Sequence, residues 1–199
     1  NNSQLSICTQ AAEKIYAGIG DPAKVEININ LYNSTLYWLP KELILFDNSK
    51  LRRKININLS DNSNLIFCET SIFGRKAMSE EIKNISFSDQ WNIYINSSLK
   101  HFEAINIKGS MIDNYKNNYT FANKSSLSTI LIFGEIIHNL ESELRKATKN
   151  IENHYCEMTK FDEKIIIRCI ADDNYDLKKT LNYIIKNIIH DKLPKSWDL

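Results

Sequence analysis

The chain has 199 residues, a formal net charge of +1 and 43% hydrophobic residues. That length suits one domain, which can bury about 70% of its unfolded surface with no disulfide or zinc staple. Near-neutral charge argues against a basic nucleic-acid binder, and the apolar content against an acidic disordered chain.

No apolar run approaches the ~20 residues of a membrane helix, so no membrane span is expected. No charged n-region followed by an apolar h-region opens the chain. Cys8, Cys68, Cys156 and Cys169 form no C-x-x-C pair, and we read them as reduced thiols of a cytoplasmic protein. The chain starts at Asn1, almost directly in a segment that reads as structured, so a further N-terminal portion is expected. Ile, Asn and Lys dominate and Val25 is the sole valine, the mark of an AT-rich gene. The N-x-[ST] sequons at Asn33, Asn58, Asn84 and Asn118 are chance products of that asparagine richness.

In chain order, the first two thirds read as short strands. Val25, Ile27, Ile29 and Leu31 alternate with Glu26, Asn28 and Asn30, and Ile55, Ile57 and Leu59 alternate with Asn56 and Asn58, a period of two. Residues 65–73, 91–96 and 99–107 are further strand candidates. Turn clusters at Gly20-Asp21-Pro22, Asp47-Asn48-Ser49, Asp61-Asn62-Ser63-Asn64 and Asn96-Ser97-Ser98 separate them. Such spacing predicts a sandwich, barrel or solenoid rather than βαβ units. Ile-Asn-Ile-Asn faces suit stacked rungs with asparagine ladders, although the sequence shows no fixed repeat. Residues 112–126 read as a long polar loop.

The last third changes period. Ile136, Ile137, Leu140, Leu144, Ala147 and Ile151 predict a helix, with Glu141 and Glu143 placed to pair with following basic residues. Residues 155–161 and 164–170 read as two strands. Asp172, Asp173 and Asn174 are N-cap candidates for a helix whose face is Leu177, Leu181, Ile184, Ile185 and Ile188, and Pro194 stops it. The expectation is an α+β chain, mostly β: a single domain over 1–199, β-rich over residues 1–135 and helix-containing over residues 136–199.

Catalytic templates are missing: no G-x-S-x-G, no H-E-x-x-H and no P-loop. His154 and Cys156 fall on one strand face, which is half of a metal site or simply a strand residue beside a buried thiol. Glu69 sits in the apolar run 65–73. A carboxylate there needs a partner or it neutralises; Arg75 is the candidate partner and Glu80 a nearby acid. The arrangement reads either as a structural ion pair or as internal carboxylates lining a cation path. Pro40 marks an edge or a strand start. Lys50, Arg52, Arg53 and Lys54 form a compact basic run, read as a solvated edge strand or as a docking patch for an acidic partner.

Four segments in order resemble the urease accessory protein UreD, also called UreH. Cys8-Thr9-Gln10-Ala11-Ala12-Glu13-Lys14-Ile15-Tyr16 is similar to the family's T-T-Q-A-x-x-K-x-Y. Leu39-Pro40-Lys41-Glu42-Leu43-Ile44-Leu45-Phe46, continued by Leu51-Arg52-Arg53, is similar to L-P-Q-E-x-I-x-F. Glu69 followed by Phe73-Gly74-Arg75-Lys76-Ala77-Met78-Ser79-Glu80 is similar to E…G-R-x-A-M-G-E. Ile167-Arg168 and Leu193-Pro194-Lys195-Ser196-Trp197 are similar to the terminal V-R and L-P-R-x-W. Cys8, Lys41, Ser79 and Lys195 depart from the pattern. The family's N-terminal G-P-L and G-G-x-x-x-G-D elements have no counterpart here.

The resemblance implies a β-helix-like body with two helices. It implies a cytoplasmic, non-enzymatic chaperone that binds urease apoprotein and UreF, recruits the GTPase UreG through UreF, and holds nickel only in transit. Glu69 becomes the first candidate for the nickel path, then Glu80 and Glu13. Thr9, Gln10, Lys14, Tyr16, Pro40, Glu42, Phe46, Gly74, Arg75, Arg168, Pro194 and Trp197 are motif residues with structural roles, and Lys50, Arg52, Arg53 and Lys54 are a possible interface. Two other readings stand beside this one: a Cys/His hydrolase on a β-rich scaffold, and a degenerate accessory protein that only binds partners.

Overall fold

The computed structural model describes residues 3–74, 80, 82–110, 121–151, 155–161, 163–189 and 193–197. Three successive coils build its body. The first is β1 (Gln4–Ile7), β2 (Glu13–Ile15) and β3 (Ala23–Leu31). The second is β4 (Thr35–Trp38), β5 (Leu43–Leu45) and β6 (Lys50–Leu59). The third is β7 (Asn64–Phe73) and β8 (Ile85–Ile95).

Each strand pairs in parallel with its counterpart in the next coil. Gln4, Thr35 and Asn64 form one column, Glu13, Leu43 and Ser71 a second, and Ala23, Leu51 and Phe87 a third. The solenoid period is therefore about thirty residues per coil. It is illegible in the sequence because the connections differ in length while the columns stay in register. Pro40 falls between β4 and β5, where its missing N–H interrupts the ladder.

After the third coil the chain reverses. β9 (Ser98–Gly109) runs antiparallel to β8, and β10 (Ser126–Phe133) antiparallel to β7. The hairpin β11 (Tyr155–Phe161)–β12 (Lys164–Ala171) extends the sheet beyond β10. The result is a 4-stranded sheet in the order β3-β6-β8-β9 facing an 8-stranded sheet whose main path is β1-β4-β7-β10-β12-β11. The β-helix-like, mostly β reading with two late helices is correct.

The helices α1 (Ile136–Lys149) and α2 (Asn174–Ile188) cover the outer face of the larger sheet. Ile137, Leu140, Leu144 and Ala147 of α1 and Leu177, Leu181, Ile184, Ile185 and Ile188 of α2 are buried, as their spacing predicts. Asp173 caps α2 by accepting from the Asp176 N–H at 3.0 Å. The start of α1 is capped from a distance: the Ile136 N–H donates to Asn64 Oδ1 at 3.2 Å. Glu141 and Arg145 form the expected i,i+4 pair.

Besides the short strands β1, β2, β4 and β5, which the sequence reading did not place, two longer strands differ from expectation. β8 begins six residues earlier than the alternation suggests, at Ile85. β10 carries Ser126, Ser128 and Thr129 among its apolar residues and is buried on both faces, so it has no alternation to read. Of the long loop expected over 112–126, residues 111–120 lie outside the described residues and Ser126 already belongs to β10. The cysteine reading also needs correction. Cys156 and Cys169 face each other across β11 and β12 and form a disulfide, so only Cys8 and Cys68 are free. His154, the expected companion of Cys156, lies outside the described residues.

On the outer face of the smaller sheet the asparagines stack as rungs. Asn56 Nδ2 donates to Asn28 Oδ1 at 2.8 Å, Asn92 Nδ2 to Asn56 Oδ1 at 2.8 Å, and Asn58 Nδ2 to Asn30 Oδ1 at 2.9 Å. Asn56 both donates and accepts along the solenoid axis, which locks the register of three coils.

Candidate functional site

The space between the sheets holds two apolar clusters. One contains Ile55, Ile57, Phe67, Trp91, Ile93, Leu131 and Phe133. The other contains Leu43, Leu45, Leu51, Phe73, Phe87 and Ile107. Between them lies a polar layer, because β6, β7 and β8 each place one charged residue where the alternation points inward: Arg53, Glu69 and Asp89.

All three are buried, at 4%, 4% and 2% exposure. Arg53 grips Asp89 with two N–H groups, Nε at 2.9 Å and Nη2 at 2.6 Å, and its Nη1 lies 2.8 Å from Glu69 Oε2. The Trp38 indole N–H donates to Glu69 Oε1 at 2.8 Å. Burial pushes the Glu69 carboxyl above its ordinary value, while Arg53 and the indole N–H pull against that shift. Burial also opposes the Arg53 charge, but Glu69 and Asp89 outweigh it and hold the guanidinium above its ordinary value. One cation against two carboxyls is neutral when Glu69 holds a proton and carries one negative charge when it does not.

The polar layer continues across the larger sheet. Glu69 is the register partner of Thr129, and Thr129 of Arg168. Thr129 is buried, and Arg168 reaches across to the smaller sheet, where its Nη2 donates to Glu103 Oε2 at 2.9 Å. His101 Nε2 lies 3.3 Å from the same oxygen, and its Nδ1 faces Lys164 Nζ at 3.4 Å. Partial burial works to raise the Glu103 carboxyl, but His101 and Arg168 outweigh it and hold it below its ordinary value. A row of polar side chains thus runs from the sealed triad to the open edge between β9 and β12.

The sequence-derived candidates separate cleanly. Glu69 is interior. Glu13 is exposed on β2, and its N–H bonds the Glu42 carbonyl at 3.0 Å. Glu80 is half-buried, with its carbonyl 2.9 Å from where a Cβ on Gly74 would sit; Gly74, at φ +76°, is held to glycine by both constraints. Arg75, the expected partner of Glu69, lies outside the described residues; among the described residues Glu69 pairs with Arg53. Arg53 leaves the basic run, since its side chain points inward while Lys50, Arg52 and Lys54 point out.

The other motif residues tie coils together. Thr9 Oγ1 accepts from the Lys41 N–H at 2.8 Å, Phe46 N–H donates to the Ile15 carbonyl at 3.1 Å, and Tyr16 stacks on Phe46 with centroids 4.7 Å apart. Gln10 and Lys14 are exposed. Glu42 accepts from Asn174 Nδ2 at 2.9 Å, clamping the second coil to α2. Pro194 opens the 3₁₀ turn Lys195–Trp197, whose indole N–H donates to the Leu39 carbonyl at 2.9 Å beside Pro40. Trp197→Phe keeps most of the ring but orphans that buried carbonyl. A loss of about 1–2 kcal/mol in unfolding free energy is expected from urea titration.

A family model described as UreD urease accessory protein matches residues 1–197. The chain belongs to the UreD family. The match to the Rhizobium rhizogenes urease accessory protein UreD is 27% identical over 199 residues, covering 99% of this chain and 72% of that protein. The UreD protein of Rhizobium leguminosarum bv. viciae is 28% identical over the same shares. That of Rhodopseudomonas palustris is 37% identical over 111 residues, 55% of this chain and 40% of the relative. Membership gives the chain an accessory role in urease maturation.

Asp89, Trp38 and Glu103 are the interior residues that sequence reading missed. Asp89 had a signal: counting back by two from Ile93 and Trp91 points it inward. The hydrolase reading finds no support among the described residues. Burial pushes the Cys68 thiol up to about 12, and its recorded partner is Ser128 Oγ at 3.7 Å. No group of three or more His, Cys, Asp or Glu side chains that could hold a metal is found among the described residues, and no helix among them is long and apolar enough to cross a membrane.

Proposed function

We propose that this chain is a scaffold of urease maturation in the cytoplasm that binds urease apoprotein and UreF, reaches UreG through UreF, and passes nickel toward the urease active site. The reading rests on family membership together with one structural observation, the polar layer between two apolar clusters. Nickel is cargo here, not a resident cofactor. A buried carboxyl whose ionisation leaves one uncompensated negative charge is a place where a cation and a proton exchange. Oxygen donors bind Ni(II) weakly enough to release it.

Glu69 and Asp89 are the carboxylates assigned to that passage, and the row through Thr129 to Arg168 and Glu103 is its continuation to the sheet edge. Glu13 and Glu80 carry no role in the passage under this proposal.

Docking is tested by co-expressing the chain with its cognate UreF-type protein, followed by affinity capture and size-exclusion chromatography. A stable co-eluting complex is expected. A well-folded chain that elutes alone would overturn the docking assignment.

A further inference from the structure

The outer face of the smaller sheet changes character along its length. One end is the neutral asparagine ladder. The other is a groove of about 560 Å³ lined by Lys50, Arg52 and Lys108, with Ser86, Ser88 and Asn106 between them. No acidic side chain is among the described residues that line it.

The register fixes the pattern of charge. Lys50, Ser86 and Lys108 form one row across β6, β8 and β9. Lys24, Arg52, Ser88 and Asn106 form the next. Arg52 and Lys108 are exposed, and no ion pair engages Lys24, Lys50, Arg52 or Lys108 among the described residues. Lys50 Nζ donates only to the Gly20 carbonyl, at 2.9 Å, which leaves its charge uncompensated. Of the acids nearby, Asp47 is spent on the N–H groups of Lys83 and Asn84 at 2.7 and 2.9 Å, and Glu26 lies one row beyond Arg52, opposite Lys54, where it accepts from Asn28 Nδ2. Lys24 directly beside Arg52 places like charges opposite each other on a ladder, an arrangement that costs stability until an anion covers it.

We propose that this groove binds an acidic, extended segment of a protein partner. The spacing selects that ligand. Lys50 and Arg52 are two residues apart on one strand, about 6.8 Å, which is the spacing of alternate side chains on an extended peptide. Lys50 and Lys108 are two strands apart, about 9.6 Å. Cations so spread meet several carboxylates and do not converge on one phosphate. The lining holds no aromatic face on which a nucleotide base would stack. The assignment rests on the groove alone and stands whether or not the chain matures urease.

The test is fluorescence anisotropy with a labelled Glu-Ser alternating decapeptide, and with a Gln-Ser decapeptide as control. Binding of the Glu peptide only is expected, weakening with added salt as exposed charges are screened. Arg52→Glu combined with Lys108→Glu is expected to weaken binding by about tenfold or more, whereas exposed Lys179→Glu on α2, behind the other sheet, leaves it unchanged. The neutral pair Arg52→Gln and Lys108→Gln repeats the loss should the charge-reversed chain fail to fold. Three outcomes would overturn the proposal: no binding of the Glu peptide, equal loss with Lys179→Glu, or displacement of the peptide by inorganic phosphate or ATP more readily than by unlabelled peptide.

Discussion

Arg53→Met is expected to lower the unfolding free energy by about 3–5 kcal/mol, read as a fall in the urea midpoint at unchanged m. Met fills most of the volume of the side chain, so packing is not the source of the loss. The source is charge. Arg53 touches both Asp89 and Glu69 between two apolar clusters, and without it Asp89 has no recorded cationic partner. Combining Arg53→Met with Asp89→Asn and Glu69→Gln should recover much of the loss, since a buried ion cluster replaced as a whole is often neutral. A single-variant loss below about 1 kcal/mol would show that the guanidinium does not hold the layer together.

The same triad fixes the sign of one pH effect. Glu69 is raised above its ordinary value of 4.5, by burial first. Its contribution to stability is therefore fully present below that ordinary value and is lost as the pH rises through the raised one. The difference in stability between the native chain and Glu69→Gln should shrink over that interval. Glu103 runs the other way: held below its ordinary value, it contributes above that value and loses its effect as the pH falls through the lowered one.

Much of this architecture was legible in the residues. Period-two alternation located β3 and β6, the stretches bounded by turn clusters marked β7 and β9 as strands, helical spacing located both helices, and the Ile-Asn repeats announced stacked asparagines. The short strands β1, β2, β4 and β5 were not legible because three or four residues carry no measurable period. β10 failed for another reason: it is covered on both faces, and Ser126, Ser128 and Thr129 interrupt its apolar run. In the site, Glu69 stood out because a carboxylate inside an apolar run needs a cause. Its partner did not, because Lys50-Leu51-Arg52-Arg53-Lys54 looks like one basic block until Ile55, Ile57 and Leu59 are counted back in twos. That count splits Arg53 from its neighbours: one guanidinium goes to the interior and Lys50, Arg52 and Lys54 remain outside. Arg75, the partner suggested by sequence proximity, lies outside the described residues; pairing across the sheets brings Arg53 to Glu69.

Glu69→Gln is expected to leave folding and UreF binding intact and to lower urease activation by about tenfold or more, measured in cells that supply the cognate urease and the remaining accessory proteins. Gln preserves the volume of the side chain and an oxygen to accept from the Trp38 indole; its amide NH2 replaces the oxygen that faces Arg53 Nη1, so that one contact is lost while Arg53 keeps its two bonds to Asp89. What disappears is the exchangeable proton and the negative charge left when it departs. A passing Ni(II) then meets an Arg53–Asp89 pair whose charges already cancel, with nothing to offset the cost of entering a low-dielectric layer. Activation with purified components separates this from a structural effect. In the native chain, nickel loading should rise with pH through the raised Glu69 value, and Glu69→Gln should show a low rate without that rise. Normal activation by the variant would remove Glu69 from the passage. A low rate that keeps the native pH profile would assign Glu69 to holding the sheets together and leave the cation to another route.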